Sequence, residues 1–463
     1  MDVALVLLAS ACTFDLVRRE ARDPGSPVPI AGAIAALFAI AVICPPRFSH
    51  DIWSYAMVGR ILVVHHGNPY LRAPASFGHD SFVNLVGQGY RSTTTPYGPL
   101  FSLHAAIVAL LAGSHPLLYR LALQASAAGF LGAALCILWR TSRNTSAVAL
   151  LGLHPVVACA VINGGHNDAF LGLGLLLAVI DARRERYARA GWWITAALLV
   201  KVTAGLALLP LIGWAWARGN WSAVRRVITG PLLVGLPVML LTPGVVGSLG
   251  RGQIGVISRS SIWNVVLRMP TLLDPQVPHG TGAMLGPLAF VLVLVVGACV
   301  TWGTRRALDP TPGVVAAVAA WLVFGGYVLP WYTVWALPAA AMLVRGRLSW
   351  LVAVQGAVIT AAFVIPRSTI TAGGLVSIVV RYVAPIALVV MFVWAVVPEA
   401  GFRRRRQGSA AFSLNGIVTP IGWRGAVRRS THADGTPLVP RQTRVRRPRA
   451  APDEAVGREP SSW

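Results

Sequence analysis

Long apolar runs separated by short polar segments dominate this chain and limit what it can fold into. They lie near residues 29–45, 98–113, 117–139, 146–163, 166–180, 191–216, 228–247, 283–303, 312–329, 331–344, 349–365 and 374–397. A helix that crosses a membrane needs about 20 apolar residues. Only 12% of the 463 residues are charged, compared with about 25% in soluble domains. The sequence therefore predicts an all-α, multi-pass transmembrane protein.

The remaining charge is strongly basic, with 40 lysines and arginines against 16 aspartates and glutamates. In a soluble protein this balance would suggest nucleic-acid binding. Here, short clusters such as Arg183-Arg184 and Arg305-Arg306 fall between apolar runs, and arginine-rich loops mark the cytoplasmic side of membrane proteins. We therefore expect a cell-membrane protein without a nucleic-acid partner, with a transmembrane domain over 1–397 and a basic, disordered cytoplasmic tail over 398–463.

Two of the apolar runs have unsuitable lengths for simple crossings. The run at 98–113 is too short, and the run at 191–216 must return to its starting side yet is too short for two full spans. Discontinuous or re-entrant helices resolve both conflicts, and they are tolerated where they line a buried cavity. The first apolar stretch, 3–14, predicts an incomplete or unusually short helix.

The segment 46–97 carries many of the chemically active side chains, and the loop pattern predicts that it is extracytoplasmic. A helix over 51–66 is expected at the membrane surface, where its mostly apolar faces with Trp53 and Tyr55 suit an interfacial position. Tyr55 is also a candidate substrate-binding residue. Asp51 begins this helix, and the helix dipole favours its ionised form. Asp51 either accepts a proton from a hydroxyl nucleophile or merely caps the helix. Tyr97, in a rigid Pro/Gly turn, either covers a sugar or lies at the start of the next helix.

A second polar cluster lies between two apolar runs, at residues 163–168. Ionisable groups at membrane depth are functional candidates. His166, Asn167 and Asp168 together offer hydrogen-bond donors and acceptors, as sugar hydroxyls require. The alternative is an ordinary outward turn in which Asp168 caps the following helix.

The only lysine in the chain, Lys201, lies in the middle of an apolar run. An unpaired charge there costs at least about 2.5–3.5 kcal/mol, so a negative partner is expected. Either a lipid phosphate or Asp168 would serve. Arg120 is a second candidate for binding the phosphate, or else a plain interfacial arginine.

Several nucleotide and metal motifs are missing from the sequence. It has no phosphate-binding glycine loop of the Walker type, no glycine-rich dinucleotide motif and no DxD pair. A nucleotide-sugar donor with a metal-bound diphosphate is therefore disfavoured, and we expect no metal and no cofactor. A lipid-phosphate donor needs only a cation that holds one phosphate.

These polar segments, taken together, resemble a known enzyme family. The motifs are Phe48-Ser-His-Asp-Ile-Trp-Ser-Tyr55, Gly67-Asn-Pro-Tyr70, Thr95-Pro-Tyr-Gly-Pro-Leu100, Gly164-Gly-His-Asn-Asp168, Lys201-Val-Thr-Ala204, Pro330-Trp-Tyr332 and Trp335-Ala-Leu-Pro338. They are similar to the actinobacterial polyprenol-phosphomannose-dependent mannosyltransferases, which are integral-membrane glycosyltransferases of the GT-C class. The resemblance covers about 48–205 and 327–340, and Trp53 stands where the family often has tyrosine.

The resemblance implies a GT-C type helical bundle that transfers mannose from a polyprenyl phosphate to a cell-envelope glycan or glycolipid, with inversion and on the outer face. Asp51 would be the base, and His166, Asn167 and Asp168 would line the sugar site. Lys201 would hold the donor phosphate, with Arg120 as a second candidate for this role. Two other readings stay open. One is a transporter or flippase of lipid-linked sugars with Asp51 and Lys201 as coupling charges, and the other is an arabinosyl or other pentosyl transferase on the same scaffold.

Overall fold

The computed structural model describes residues 3–249, 256–273, 282–364 and 378–401. These residues form α-helices joined by short 3-10 and π-helical turns, and no strand occurs among them. The predicted all-α class is therefore confirmed. The expected basic tail lies outside the described residues from position 402 onward.

The N-terminal part of the described chain contains ten α-helices before residue 217. They are α1 (Val3–Arg22), α2 (Pro27–Ile43), α3 (Asp51–Val63), α4 (Gln88–Arg91), α5 (Pro99–Ala112), α6 (Pro116–Ser142), α7 (Thr145–Gly152), α8 (Asp168–Arg183), α9 (Tyr187–Leu198) and α10 (Leu208–Trp216). Shorter 3-10 helices cover Pro74–Phe77, Ser81–Leu85 and Val202–Ala207, and a π-helix covers Val157–Ile162.

The later described helices follow the same pattern of apolar helices and short interruptions. They are α11 (Trp221–Gly230), α12 (Leu236–Leu241), α13 (Val245–Leu249), α14 (Ile262–Leu273), α15 (Gly282–Thr304), α16 (Thr311–Phe324), α17 (Leu337–Ala341), α18 (Arg347–Val364) and α19 (Ala384–Gly401). Two π-helices, Pro231–Gly235 and Val379–Val383, and the 3-10 helix Pro330–Trp335 adjoin them.

Five helical stretches in the described part are long and apolar enough to cross a membrane. They are Pro116–Ser142, Trp221–Leu241, Leu285–Thr304, Arg347–Val364 and Val379–Val397. Large apolar side chains lie exposed on the outer helix faces, for example Leu111 and Leu241. Such surfaces are stable in lipid rather than in water. The architecture is that of the expected multi-pass membrane protein.

Helix α1 is longer than the sequence suggested. The apolar stretch 3–14 continues without a break to Arg22, giving 20 helical residues. An Arg19–Asp15 ion pair of 2.7 Å spans one turn of the polar extension, and Glu20 accepts a hydrogen bond of 2.7 Å from the Thr145 hydroxyl. The polar end of α1 is therefore held against α7.

The expected interruption of the run 191–216 is present. Helix α9 ends at Leu198, Lys201 adopts an extended conformation, and a 3-10 helix leads into α10. At the break, backbone carbonyl groups lack hydrogen-bond partners within their own helix. The N–H groups of Gly98 and Leu100 donate to the carbonyls of Val200 and Leu199, both at 2.9 Å, so the break satisfies donors at the start of α5.

Gly98 is required at this junction because a Cβ atom there would clash with the carbonyl of Leu199. The short run 98–113 forms the 14-residue helix α5. As a result, the α5 N-terminus and the break before Lys201 lie directly against each other, with Tyr97 beside Lys201.

Helix α3 ends at Val63, three residues earlier than expected. The Gly67 N–H turns back to the Ile61 carbonyl at 2.7 Å, and His66 has a positive φ of 47°. The expectation of an interfacial Tyr55 is wrong, because Tyr55 is only 1% exposed and packs inside the protein. The face of α3 that carries Tyr55 therefore belongs to the core.

Candidate active site

Asp51 is the first residue of α3, and the chain leading to it is fixed by buried amides. The Asn163 side chain accepts from the Arg47 N–H at 2.9 Å and donates to the carbonyls of Cys44 and Pro45 at 3.0 and 3.1 Å. Gln124 donates to the Asn163 carbonyl at 2.8 Å. The end of α2 is thus locked to the 163–168 segment, which explains why two sequence-distant motifs form one site.

The Asp51 carboxyl is largely buried, with 16% of the side chain exposed. Burial raises the pKa of Asp51 from 3.8 to about 6, although a hydrogen bond with Ser49 and the positive charge of Lys201 act in the opposite direction. The helix-dipole expectation of a favoured ionised form is therefore outweighed by desolvation. A carboxylate with this pKa can still accept a proton near neutral pH.

His166 lies between the two carboxylates of the site. Its Nδ1 atom is 3.9 Å from an oxygen of Asp51 and 3.9 Å from an oxygen of Asp168. The same nitrogen is 3.1 Å from the Tyr55 hydroxyl, which in turn lies 3.3 Å from the Tyr97 hydroxyl. The structure therefore brings these five of the eight predicted site residues into one polar cluster.

Lys201 has a protein partner in this cluster. Its Nζ atom lies 3.0 Å from an Asp168 oxygen, which also accepts a hydrogen bond of 2.5 Å from the Trp335 indole N–H. Of the two negative partners predicted for Lys201, a lipid phosphate and Asp168, the structure shows Lys201 paired with Asp168. The ammonium also lies 4.0 Å from the Tyr332 ring centroid and 5.6 Å from that of Tyr97, where the ring faces attract a cation.

Aromatic side chains of the 3-10 helix Pro330–Trp335 complete the cluster, and sequence reasoning gave them no role. The Trp331 ring stacks on His166 with centroids 3.9 Å apart and an interplanar angle of 15°. Trp335 holds Asp168, and Tyr332 lies beside Lys201. The motif was visible as part of the family resemblance. Its contact with residues 166–201, however, depends on packing between segments more than a hundred residues apart.

Two predicted site residues stand outside the hydrogen-bonded cluster. The Arg120 guanidinium donates to the Ile43 carbonyl at 3.2 Å, at the end of α2. Asn167 is buried next to His166, and within the described part of the chain neither atom of its amide has a hydrogen-bond partner.

Two cavities meet at Asp51. The inner one, of about 50 Å³, is rich in hydroxyl groups and is lined by Tyr55, Tyr97, Tyr332 and threonines 93–95. The outer one, of about 320 Å³, is lined by Arg47, Ser49, His50, Gln88 and Trp331. Asp51, Tyr90 and Tyr327 belong to both walls, and a 3.0 Å contact joins the hydroxyls of the two tyrosines. A carboxylate at this junction can reach groups bound on either side.

The comparison with protein families identifies the N-terminal part of this site. Residues 3–218 match the family model described as "Alpha-(1->6)-mannopyranosyltransferase, N-terminal domain". This stretch, a little less than half of the chain, is similar to the alpha-(1->6)-mannopyranosyltransferase family. It contains Asp51, His166, Asp168 and Lys201. The expected resemblance to mannosyltransferases is thus confirmed.

Curated relatives carry the same family name. The chain is 28% identical over 337 residues to "Alpha-(1->6)-mannopyranosyltransferase A" of Mycobacterium tuberculosis, covering 65% of this chain and 63% of the relative. It is 28% identical over 364 residues to a probable alpha-(1->6)-mannopyranosyltransferase of Mycolicibacterium smegmatis, covering 66% and 63%. With the Corynebacterium glutamicum alpha-(1->6)-mannopyranosyltransferase A, identity is 24% over 341 residues, covering 63% and 66%.

The match therefore spans less than two thirds of the length of each of these alpha-(1->6)-mannopyranosyltransferases. No solved structure matches the chain.

Proposed function

We propose that this protein transfers a mannosyl residue from a polyprenyl-phosphate donor to a glycan or glycolipid acceptor, with inversion at the anomeric carbon. The observation that carries the proposal is the position of Asp51, a carboxyl with a pKa of about 6 in the wall shared by two cavities. Mannose is proposed as the sugar because the family model that matches residues 3–218 is named for mannopyranosyl transfer.

In the proposed reaction, the acceptor hydroxyl lies in the outer cavity beside Asp51. Asp51 takes the hydroxyl proton as the oxygen attacks the anomeric carbon, and the bond between that carbon and the phosphate oxygen breaks. The polyprenyl phosphate leaves with the bonding electron pair. A single displacement of this kind inverts the anomeric centre, and no covalent enzyme intermediate is needed.

His166 and the Asp168–Lys201 pair organise the donor side. His166 is fixed by stacking on Trp331 and by the Tyr55 hydroxyl, so it offers a rigid polar edge to a sugar. Lys201 uses one N–H for Asp168, and its other two remain for the donor phosphate. Arg120 is proposed as an outer cation for the same phosphate, and the active site is proposed to face the extracytoplasmic side.

The test uses membranes that contain the wild type, Asp51→Asn or Asp23→Asn. Asp23 is exposed and serves as the matched control for the loss of one carboxylate. The substrates are radiolabelled polyprenyl-phosphomannose and a total glycolipid fraction. We expect the wild type and Asp23→Asn to transfer mannose with inversion at the anomeric carbon. The transfer rate of Asp51→Asn should be at least about a hundredfold lower, as expected when a general base is removed.

Transfer by Asp51→Asn at the wild-type rate would refute the assignment of the base. With a radiolabelled polyprenyl-phosphoarabinose supplied in parallel, transfer of arabinose but not of mannose would favour the pentosyltransferase reading. If the wild type transfers no lipid-linked sugar but moves it across the membrane, the transporter reading replaces the enzyme.

A further inference from the structure

A third cavity, of about 220 Å³, borders the cluster but shares no lining residue with the two cavities at Asp51. It lies between α5, α6 and α8, with Leu103, Leu123 and Phe130 among its walls and His166 and Asn167 at one end. We call this space the α5–α6 groove.

The α5–α6 groove opens toward the lipid-facing surface. Leu103 and Ile107 line it and are also 56% and 48% exposed on the outside of α5. Helix α6, the opposite wall, is long and apolar enough to cross a membrane. Apart from the end at His166 and Asn167, the polar side chains of its wall are His104 and Ser126, which lie 3.2 Å apart and pair with each other. A hydrocarbon chain suits such walls, whereas a water-soluble ligand would lose hydration without recovering hydrogen bonds.

The inner end of the groove has the opposite character. His166 is fully buried and Asn167 is 7% exposed. Among the described residues, neither the Asn167 amide nor the His166 Nε2 atom has a hydrogen-bond partner. Leaving such groups unpaired costs about 1–3 kcal/mol each, and a polar ligand group would supply the missing partners.

The backbone holds this polar end close to α6. Gly165 has a positive φ of 60°, and a Cβ atom there would press on Leu123 at 3.2 Å and Ile52 at 3.0 Å. The turn therefore brings Asn167 to the inner end of the groove, between the apolar walls, while the Nδ1 side of His166 faces Asp51. One residue pair thus borders both the groove and the reaction site.

We propose that the α5–α6 groove holds the isoprenoid chain of the lipid-linked donor, with oxygen atoms of its head group hydrogen-bonded to Asn167 and His166. This assignment rests on the proposed function, because that function supplies a donor with a long hydrocarbon chain. It adds the path by which the chain leaves the site, sideways between α5 and α6, and a specific role for Asn167.

The test fills the groove and follows a photoreactive donor. A polyprenyl phosphomannose with a diazirine in its chain is incubated with membranes containing the wild type, Ser126→Phe or Ala125→Phe. Ser126 lines the groove, and the neighbouring Ala125 is exposed on the same helix. Ile107→Trp, at the exposed lip, narrows the entrance without disturbing the core.

We expect cross-links to peptides of α5 and α6 in the wild type. A phenylalanine that displaces about 50 Å² of apolar chain contact should raise the KM for the donor about tenfold. Ser126→Phe and Ile107→Trp should show that rise and lose most of the cross-linking, while the KM for the acceptor stays unchanged. Ala125→Phe should behave as the wild type.

Equal cross-linking in folded Ile107→Trp and Ala125→Phe, or cross-links confined to other helices, would overturn the assignment of the groove. Cross-linking in the groove of a wild type that transfers no sugar would support the groove and refute the proposed function. Sugar transfer without cross-links in the groove would support the proposed function and refute the assignment of the groove.

Discussion

Replacing Asp51 with asparagine should make the protein more stable at neutral pH while removing its proposed activity. Burial raises the pKa of Asp51 from 3.8 to about 6, so ionisation is less favourable in the folded than in the unfolded chain. A shift of about 2 pKa units corresponds to roughly 3 kcal/mol. Asparagine has a similar size and carries no charge, so it avoids this cost.

The sign of the pH dependence follows from the raised pKa. Below pH 4 the carboxyl is protonated in both states, and the ionisation cost is absent. Between pH 4 and about 6 the carboxyl ionises in the unfolded chain but stays mostly protonated in the folded protein, so the free energy of unfolding falls with rising pH. Above about pH 6 the reduction due to Asp51 reaches roughly 3 kcal/mol. Asp51→Asn should remove this contribution to the decline of the free energy of unfolding between pH 4 and pH 7.

The measurement is the free energy of unfolding of the detergent-solubilised protein by urea at pH 4.5 and pH 7.5, for the wild type, Asp51→Asn and Asp23→Asn. We expect Asp51→Asn to be more stable than the wild type by about 2–3 kcal/mol at pH 7.5 and by only about 1 kcal/mol at pH 4.5. The mannosyl transfer rate of the wild type should fall about tenfold per pH unit below 6.

Two results would refute this reasoning. If Asp51→Asn is less stable than the wild type at pH 7.5, the carboxylate stabilises the fold, as a plain helix cap would. If wild-type transfer stays constant from pH 7 to pH 4.5, a group with a pKa of about 6 does not act as the base.

Two further substitutions test the scaffold around the site. Lys201→Met leaves Asp168 buried without its cation and should lower the free energy of unfolding by about 3–5 kcal/mol. The double variant Lys201→Met/Asp168→Asn should recover part of that loss. In Lys201→Met the KM for the donor should rise more than the KM for the acceptor. An unchanged donor KM would exclude a role of Lys201 in phosphate binding. Gly98→Ala should lower the unfolding midpoint by forcing apart α5 and the chain break, at a cost of about 1–3 kcal/mol, whereas Gly129→Ala, with open space around it, should leave the midpoint unchanged or higher.

The sequence predicted those parts of the fold that depend on apolar run length. The length of the run 191–216 indicated a discontinuous helix, and in the structure the break lies just before Lys201. The pairing with Asp168 was one of two stated possibilities, because burial requires a counter-charge but does not choose it. The choice depends on how α8 packs beside the break.

Other features of the site were beyond sequence reasoning for a physical reason. Trp331 and Trp335 reach His166 and Asp168 across more than 160 residues of chain, and no local pattern encodes such a contact. The raised pKa of Asp51 was also beyond the sequence, because the helix dipole is visible there, while the desolvation that outweighs it appears only when α3 is packed into the core.

Three of the ionisable residues at the centre of the site, the two aspartates and the lysine, share one structural property. Asp51 begins α3, Asp168 begins α8, and Lys201 lies in the break after α9. Helix ends expose N–H and carbonyl groups that can accompany a charge into an apolar interior. Because Asp168 and Lys201 neutralise each other at 3.0 Å, an ionised Asp51 carries the net charge of the trio. In the proposed reaction Asp51 loses that charge by taking the acceptor proton as the phosphate leaves with its electron pair, so charge separation inside the site is reduced where the low dielectric makes it most costly.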